Sequence, residues 1–331
     1  MASRLGQLLD VAYTIEYGAQ CSVQSSLNML YLPAFSGQGQ LRIVGPSNEK
    51  YHVRGGNEQI ASGLAALLPQ QIQLGTALTA LVSNADDTWT LVTRSGATTT
   101  SRVADHVVLA LPFSLLRRVD LTKARLPRLK TTAINQLAMG TNSKLALQFS
   151  DRRWRSLGGN GDTFADTGYQ STWEVTRAQP GTSGVLVDFT GGTIGASLTG
   201  ATPQTSARRF LGQIEPLHPG LSARWNGKVT LDAWSTYPWA LGSYSYWRVG
   251  QYTGFSGVEG AGRRHVPLRR RAHLAGLPGL PERSRRDRLP RGRRDRGRAE
   301  VADVGDPASW DSADLTRLVP LRPRPHAGRR P

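Results

Sequence analysis

The 331-residue sequence predicts a mixed α/β (α+β) fold. Segments with helical spacing of apolar residues alternate along the chain with short β-type runs, which is typical of interleaved α/β architectures. No repeat of fixed period is visible. The length allows one large domain or two ordinary ones and is ample for a buried core.

Three segments predict helices. The first is an amphipathic helix over Ser3–Tyr17, and the third covers Pro203–Ile214. Between them, Gly55-Gly56-Asn57 opens a second helix, for which Asn57 is the predicted N-cap residue. Its apolar residues share one helical face: Ile60, Leu64, Leu67 and Leu68.

Eight short runs that are rich in β-branched and apolar residues predict strands, and polar turns separate them. These runs are Ala77–Val82, Trp89–Thr93, Thr98–Arg102, Asp105–Ala110, Lys144–Phe149, Tyr169–Val175, Gly184–Phe189 and Val229–Trp234.

The composition excludes several classes of protein. A single cysteine, Cys21, leaves no disulfide framework or multi-cysteine metal site, and neither H-E-x-x-H nor C-x-x-C occurs. No apolar run has the 18 or more residues that a transmembrane helix needs. Met1–Asp10 lacks the basic-then-apolar order of a signal peptide. We therefore expect no metal site and no membrane partner, and a cytoplasmic location by default.

The net charge of +17 is unevenly distributed. Residues 263–331 contain 19 Arg and no Lys, whereas residues 1–262 are only mildly basic. Such an arginine-rich segment could bind phosphates without sequence specificity, so a nucleic-acid-binding tail is one alternative. We expect no specific nucleic-acid partner, because Trp310 is the only aromatic residue there.

Phosphate-binding and hydrolase motifs are absent, whereas four other segments occur in an informative order. The sequence has no G-x-G-x-x-G after a strand, no P-loop and no G-x-S-x-G. The four segments are Tyr51-His-Val-Arg-Gly-Gly-Asn57, Asp105-His-Val-Val-Leu-Ala-Leu-Pro112, Lys144-Leu-Ala-Leu-Gln-Phe149 followed by Trp154, and Trp234 followed by Gly242-Ser-Tyr244. Their order and spacing resemble the flavin-containing amine oxidases: monoamine, polyamine and L-amino-acid oxidases. The resemblance covers roughly residues 3–260.

The resemblance implies a partial version of that family's two-domain, FAD-linked fold. Residues 1–50 would form a helical part of the substrate domain, and residues 51–118 the second segment of the FAD-binding domain. Residues 119–235 would form the substrate-binding domain with a mixed sheet. Residues 236–262 would return toward the flavin, and residues 263–331 would be a tail without selected structure.

The resemblance also implies roles for three residues near the reacting atoms. Lys144 matches the family lysine that holds a water against the flavin and assists its reoxidation; a cation there stabilises developing negative charge. Tyr244 matches one wall of an aromatic cage that guides the amine. Phe189 would line the substrate cavity. The alternative roles are a surface lysine at the start of a strand and two aromatic residues that only pack.

Four further residues match cofactor-binding positions of the family. Gly55 and Gly56 match paired glycines that let the backbone approach the cofactor at a helix start. Leu78 matches the position whose backbone pairs with adenine, and Trp234 matches a tryptophan near the isoalloxazine ring. A tight turn and a core tryptophan are the corresponding structural alternatives.

The implied activity is oxidation of a C–N bond of an amine or L-amino acid to an imine, with FAD as cofactor and O2 as acceptor. The implied partners are the small-molecule substrate and O2, with a homodimer as a further option. Two family segments that bind FAD are not found in the sequence: the N-terminal G-x-G-x-x-G unit and a later Gly-Glu-x-Thr stretch. A catalytically silent fragment is therefore a second alternative.

The codons for the arginine-rich segment offer an explanation for the second missing stretch. When the degenerate codons of Val266–Asp287 are read one base later, they permit a peptide containing Phe-Ala-Gly-Glu-His-Thr and, further on, Asn-Gly-Ala. Out-of-frame GC-rich codons also yield Arg, Pro, Gly and Ala. We therefore predict a frameshift between about Gly260 and His265.

Sequencing the encoding DNA across codons 255–300 tests this prediction. The expected result is one missing or extra base, after which the corrected frame restores Gly-Glu-His-Thr at the family's spacing. A DNA sequence that agrees with the printed protein at every codon would contradict the frameshift.

Overall fold

A computed structural model of the chain describes residues 3–32, 39, 42–44 and 51–260. The predicted frameshift and tail lie outside these residues. The described helices are α1 Arg4–Tyr17, α2 Ser26–Tyr31, α3 Glu58–Ala66, α4 Phe113–Leu116, α5 Arg128–Gln136, α6 Arg153–Ser156, α7 Gly192–Ser197, α8 Pro203–Ile214 and α9 Gln251–Phe255. The described strands are β1 Ala77–Ser83, β2 Trp89–Ser95, β3 Thr98–Ala104, β4 Ala138–Met139, β5 Ser143–Phe149, β6 Thr163–Phe164, β7 Ser171–Glu174, β8 Gly184–Thr190, β9 Trp225–Ala233 and β10 Ser245–Tyr246.

The largest sheet has five antiparallel strands in the order β6-β7-β8-β5-β9. Alternate residues of β5 point to opposite faces, and its apolar residues Leu145, Leu147 and Phe149 are fully buried on one of them. Helix α8 covers this face with Phe210 and Ile214. The predicted mixed α/β class is confirmed, and this sheet is its centre.

Helix α8 has the predicted bounds because its first turn carries clear start signals. The hydroxyl of Thr202 accepts a hydrogen bond from the Thr205 N–H, and Pro203 occupies the first helical position. The apolar residues of the helix recur at helical spacing and face the sheet.

The second sheet is a meander of β1, β2 and β3. Its apolar side carries Leu81 and Trp89, which pack against Leu116 of α4 and Ile134 of α5. Strand β1 also forms a parallel bridge to Asp120, which lies between α4 and α5 in the chain. A third, two-stranded pair joins β10 to β4.

The prediction of a strand at Asp105–Ala110 is wrong. Val107 and Leu109 are buried and Val108 is 53% exposed, which is the burial pattern of a strand with one buried face. However, none of the described residues forms a ladder with this segment. Because a strand is stabilised by hydrogen bonds to a neighbour, the side-chain pattern alone does not produce one.

The second predicted helix forms, and Asn57 occupies its N-cap position, as predicted. The Asn57 side chain does not cap α3; it accepts a hydrogen bond from the Val53 N–H at 3.0 Å. The apolar face is exposed rather than packed, with Leu64 60% and Leu67 75% exposed. Helical spacing predicts the helix, whereas burial depends on a partner surface.

Strand β8 contributes one carboxyl group to the α8 side of the main sheet. Asp188 lies opposite Leu145 and is 4% exposed, and its Oδ1 atom has no hydrogen-bond partner among the described residues. Burial raises the pKa of Asp188 to about 8, and the positive charge of Arg209 lowers it in part. The group is therefore protonated in the folded protein at neutral pH.

The raised pKa predicts a pH-dependent stability. Between about pH 4 and pH 8 the folded protein holds a proton that the unfolded chain releases, so the free energy of unfolding falls as pH rises. We expect Asp188→Asn to make this dependence shallower in urea titrations across that range. Asp87→Asn, at an exposed turn position with φ 64°, is the control and should keep the wild-type slope. A wild-type slope in Asp188→Asn would contradict the assignment.

Candidate functional site

The face of the main sheet opposite α8 presents two rows of side chains. Residues paired across antiparallel strands share a face, so the register defines both rows. The first row is Ser171, Phe189, Lys144 and Asp232, and the second row is Trp173, Val187, Ala146 and Thr230. Two predicted site residues, Lys144 and Phe189, are therefore direct neighbours on β5 and β8.

Lys144 lies above two aromatic rings. Its Nζ atom is 5.5 Å from the ring centroid of Trp173 and 5.4 Å from that of Phe189. These two rings meet edge to face, with centroids 5.3 Å apart. Cation–π attraction at these distances fixes the ammonium group over the aromatic pair and keeps it on the open side of the sheet.

Helix α1 and Tyr244 pack against part of this face of the sheet. Ile15 of α1 is buried against Val187 and Phe189, and Tyr244 is partly buried against the same cluster. The structure thus brings Lys144, Phe189 and Tyr244 together. Phe189 itself is 8% exposed, so it contributes more to packing than to an open surface.

A fully buried asparagine connects the segments that carry these residues. The Asn142 side chain donates to the carbonyls of Ile15, at 2.6 Å, and Thr190, at 3.2 Å, and accepts from the Ser243 hydroxyl. The backbone carbonyl of Asn142 accepts from the Trp234 N–H at 3.3 Å. One residue therefore joins α1, the end of β8, the end of β9 and the segment before Tyr244.

Glycines around Asn142 permit this close approach. Gly18 ends α1 with φ 68°, and a Cβ atom there would lie 2.2 Å from Asn142 Oδ1. A Cβ atom on Gly191 would lie 3.0 Å from Asn142 Nδ2. The Gly140 N–H donates to the Tyr244 carbonyl at 2.7 Å, which extends the junction toward β4 and β10. Larger residues at Gly18 would displace the asparagine.

Trp234 follows β9 directly and is joined to the same junction through its backbone. Its carbonyl accepts from the Gly242 N–H at 3.0 Å. The indole ring is 38% exposed and contacts Tyr237, with ring centroids 5.9 Å apart. The structure therefore places Trp234 beside the segments of Lys144 and Tyr244, with an exposed ring face.

The other predicted cofactor residues lie before α3 and on β1. Gly55 and Gly56 precede α3 with φ 85° and 112°, and open space surrounds the Cβ position of Gly56. Leu78 is a partly buried residue at the irregularity of β1. Glu58 occupies the first turn of α3, where its negative charge disfavours a phosphate group.

The described residues thus fit the aromatic ring system of a flavin cofactor better than its phosphate groups. A cation above aromatic rings, with an exposed indole nearby, suits an aromatic ring system that gains negative charge. The start of α3 leaves its backbone accessible but carries an acidic residue. Within the described ranges, no cluster of three or more His, Cys, Asp or Glu residues could hold a metal ion.

Sequence reasoning missed three residues of this site. Trp173 and Asp232 enter the two rows only through the sheet register, which the sequence does not reveal. The sequence offers a weak indication of Asn142, because it is a polar residue just before a strand in which apolar and polar residues alternate. Its partners are 48 to 127 residues away in the chain, and no local pattern indicates them.

Comparisons with known proteins show the family of this chain. The profile of the family "Flavin containing amine oxidoreductase" matches residues 7–279. The Arabidopsis thaliana protein named "Probable polyamine oxidase 4" is 28% identical over 155 residues. The Oryza sativa protein named "Polyamine oxidase 5" is 27% identical over 156 residues. Each match covers 46% of this chain and 30% of the relative.

Solved structures show the same fold. The cyclohexylamine oxidase of Brevibacterium oxydans IH-35A superimposes with a TM-score of 0.67 at 19% identity, over 81% of this chain and 59% of that one. A putrescine oxidase bound to putrescine gives a TM-score of 0.55 at 18% identity, over 65% of this chain and 46% of that one. The chain thus corresponds to about half the length of these enzymes.

The fold and the extent of the family match define the class: this chain belongs to the flavin-containing amine oxidoreductases. The predicted family, its partial two-domain fold and its FAD cofactor are confirmed at this level. None of the helices in the described part of the chain combines the length and apolar character that a bilayer span requires.

The Asn142 junction generates a stability prediction. Asn142→Ala leaves two buried carbonyls and one hydroxyl without their partner, and we expect the free energy of unfolding in urea to fall by about 3 kcal/mol. Asn226→Ala, at an exposed position of β9, is the matched control and should cost less than about 1 kcal/mol. Equal losses in the two variants would show that Asn142 has no special role.

Proposed function

We propose that this chain provides the substrate side of an FAD-dependent amine oxidase, which oxidises the C–N bond of a small amine to an imine with O2 as acceptor. The observation that carries the proposal is the position of Lys144 above Trp173 and Phe189, next to Tyr244. Membership of the flavin-containing amine oxidoreductases supports it.

Lys144 is the proposed catalytic residue. When bound, a flavin would supply the two-electron oxidation of the C–N bond, with O2 as the final electron acceptor. The ammonium group of Lys144 would orient a water molecule at the flavin and stabilise negative charge that develops during reoxidation. Its aromatic platform keeps the group in one position, so little reorganisation is needed.

The surrounding side chains favour an amine over an amino acid as substrate. Aromatic faces attract cationic amines and orient neutral ones, which is the role we assign to Tyr244. Phe189, which is 8% exposed, would line the substrate cavity mainly through packing. Asp232 lies in the same row and adds a negative charge. Among the eight side chains of the two rows, Lys144 is the one cation, so an α-carboxylate finds no second positive partner there.

The names of the relatives support the same substrate class. Polyamine, cyclohexylamine and putrescine oxidases act on amines, as their names state. We extend this to the present chain as a proposal, since it spans 30% of the polyamine oxidases it matches. The roles of Gly55, Gly56, Leu78 and Trp234 toward the cofactor, and the division into substrate and cofactor segments, belong to the same proposal.

Replacing Lys144 tests the proposed role. The full chain is incubated with FAD and putrescine, and flavin absorbance and peroxide release are recorded. In Lys144→Met we expect flavin reoxidation by oxygen to slow by about 10²-fold, because the charge that stabilises this step is lost. Anaerobic flavin reduction by the amine should change much less. Lys228→Met, at an exposed position of β9, should match wild type in both steps.

Two results would contradict the proposal in different ways. Reoxidation of Lys144→Met at the wild-type rate would remove the catalytic role of the lysine while leaving the oxidase activity intact. A wild-type chain that retains FAD yet releases no peroxide from putrescine, cyclohexylamine or spermidine would remove the activity itself.

A further inference from the structure

A cavity of about 490 Å³ lies outside the Lys144 cluster, where α5, β4 and α9 meet. Its size is within the range of small-molecule sites. Its lining is mostly polar and contains no acidic residue. The lining residues are Arg117, Asn135, Gln136, Leu137, Ala138, Met139, Leu241, Arg248 and Gln251.

Arg117 is held in a fixed orientation on one side of the cavity. Its Nε atom donates to the Ile134 carbonyl at 2.7 Å, and its Nη2 atom donates to the Leu137 carbonyl. Both carbonyls belong to the C-terminal end of α5, whose partial negative charge favours a cation. A guanidinium group has five N–H donors, so Arg117 keeps donors available for a ligand.

Arg248 supplies a second positive charge. Its side chain is exposed, and it makes no ion pair or hydrogen bond to any residue in the described ranges. Burial and the positive charge of Arg248 both lower the pKa of Arg117. Repulsion between the two cations would be relieved by an anion placed between them.

Three backbone carbonyls beside the cavity are already hydrogen-bonded. Arg117 binds the carbonyls of Ile134 and Leu137, and the Gln251 amide donates to the Gln136 carbonyl at 2.9 Å. Carbonyl groups that would otherwise repel an anion are thus paired. The Gln251 Oε1 atom accepts from the Arg248 N–H at 2.8 Å, which fixes the backbone that carries the second cation.

We propose that this cavity is an anion site that binds the phosphate group of a small ligand between Arg117 and Arg248. Phosphate is favoured over carboxylate because two guanidinium groups match a doubly charged oxyanion, and Arg pairs with phosphate through two parallel hydrogen bonds. The site is independent of the proposed oxidase function, since none of its lining residues belongs to the two rows around Lys144.

The experiment measures thermal stabilisation of the full chain by inorganic phosphate and by glycerol 2-phosphate, at constant ionic strength set with chloride. Arg248→Gln removes the unpaired cation at an exposed position, so the fold should persist. Arg118→Gln, the adjacent exposed arginine that does not line the cavity, is the matched control. Both variants keep the 19 arginines of residues 263–331, so binding there cancels in the comparison.

We expect the apparent Kd for phosphate to rise at least about tenfold in Arg248→Gln and to stay at the wild-type value in Arg118→Gln. Arg248→Glu, which places a carboxylate opposite Arg117, should abolish the saturable shift. Thermal stabilisation by both compounds would show that the site recognises the phosphate group itself. Stabilisation by glycerol 2-phosphate alone would show that the site requires a phosphomonoester. Equal Kd values in Arg248→Gln, Arg248→Glu and Arg118→Gln would overturn the proposal.

Discussion

The hydrogen bonds of Asn142 are the constraint on which the arrangement of the site depends. The segments around Lys144, Trp234 and Tyr244 come from separate parts of the chain. No local sequence pattern determines how these segments are arranged relative to one another. Asn142 donates to one carbonyl in α1 and one in β8, and it accepts from the Ser243 hydroxyl and the Trp234 N–H, in a position without solvent access. In such a dry environment each unpaired group would be costly, so the network specifies one geometry.

The central strands serve two purposes through the two-residue period of a β-strand. On β5, Leu145 and Leu147 enter the core beneath α8, while Lys144 points to the opposite face. Strand β8 follows the same division, with Asp188 on the core side and Phe189 beside the lysine. A shift of the register by one residue would exchange these faces and bury the ammonium group, so core packing and chemistry specify the same register.

The sequence predicts the elements whose signals are local. Helix α8 has a capping residue, an N-terminal proline and regular spacing, and these signals predict its approximate bounds. The Asp105–Ala110 segment has an equally clear pattern but no pairing strand among the described residues, so the pattern failed. Short family motifs indicate Lys144 and Tyr244, and the family resemblance as a whole indicates Phe189. Neither indicates Trp173 or Asn142, because their roles arise from contacts between distant segments.

The order of strands in the main sheet also bears on how the protein is made. Strand β5 lies between β8 and β9, and both of these follow it in the chain. During synthesis, β5 emerges from the ribosome with both edges unpaired and remains so until the later strands have been translated. Such long-range pairing slows folding and leaves an aggregation-prone intermediate. Within the main sheet, the strand that carries Lys144 is therefore the one whose two neighbours are both translated after it.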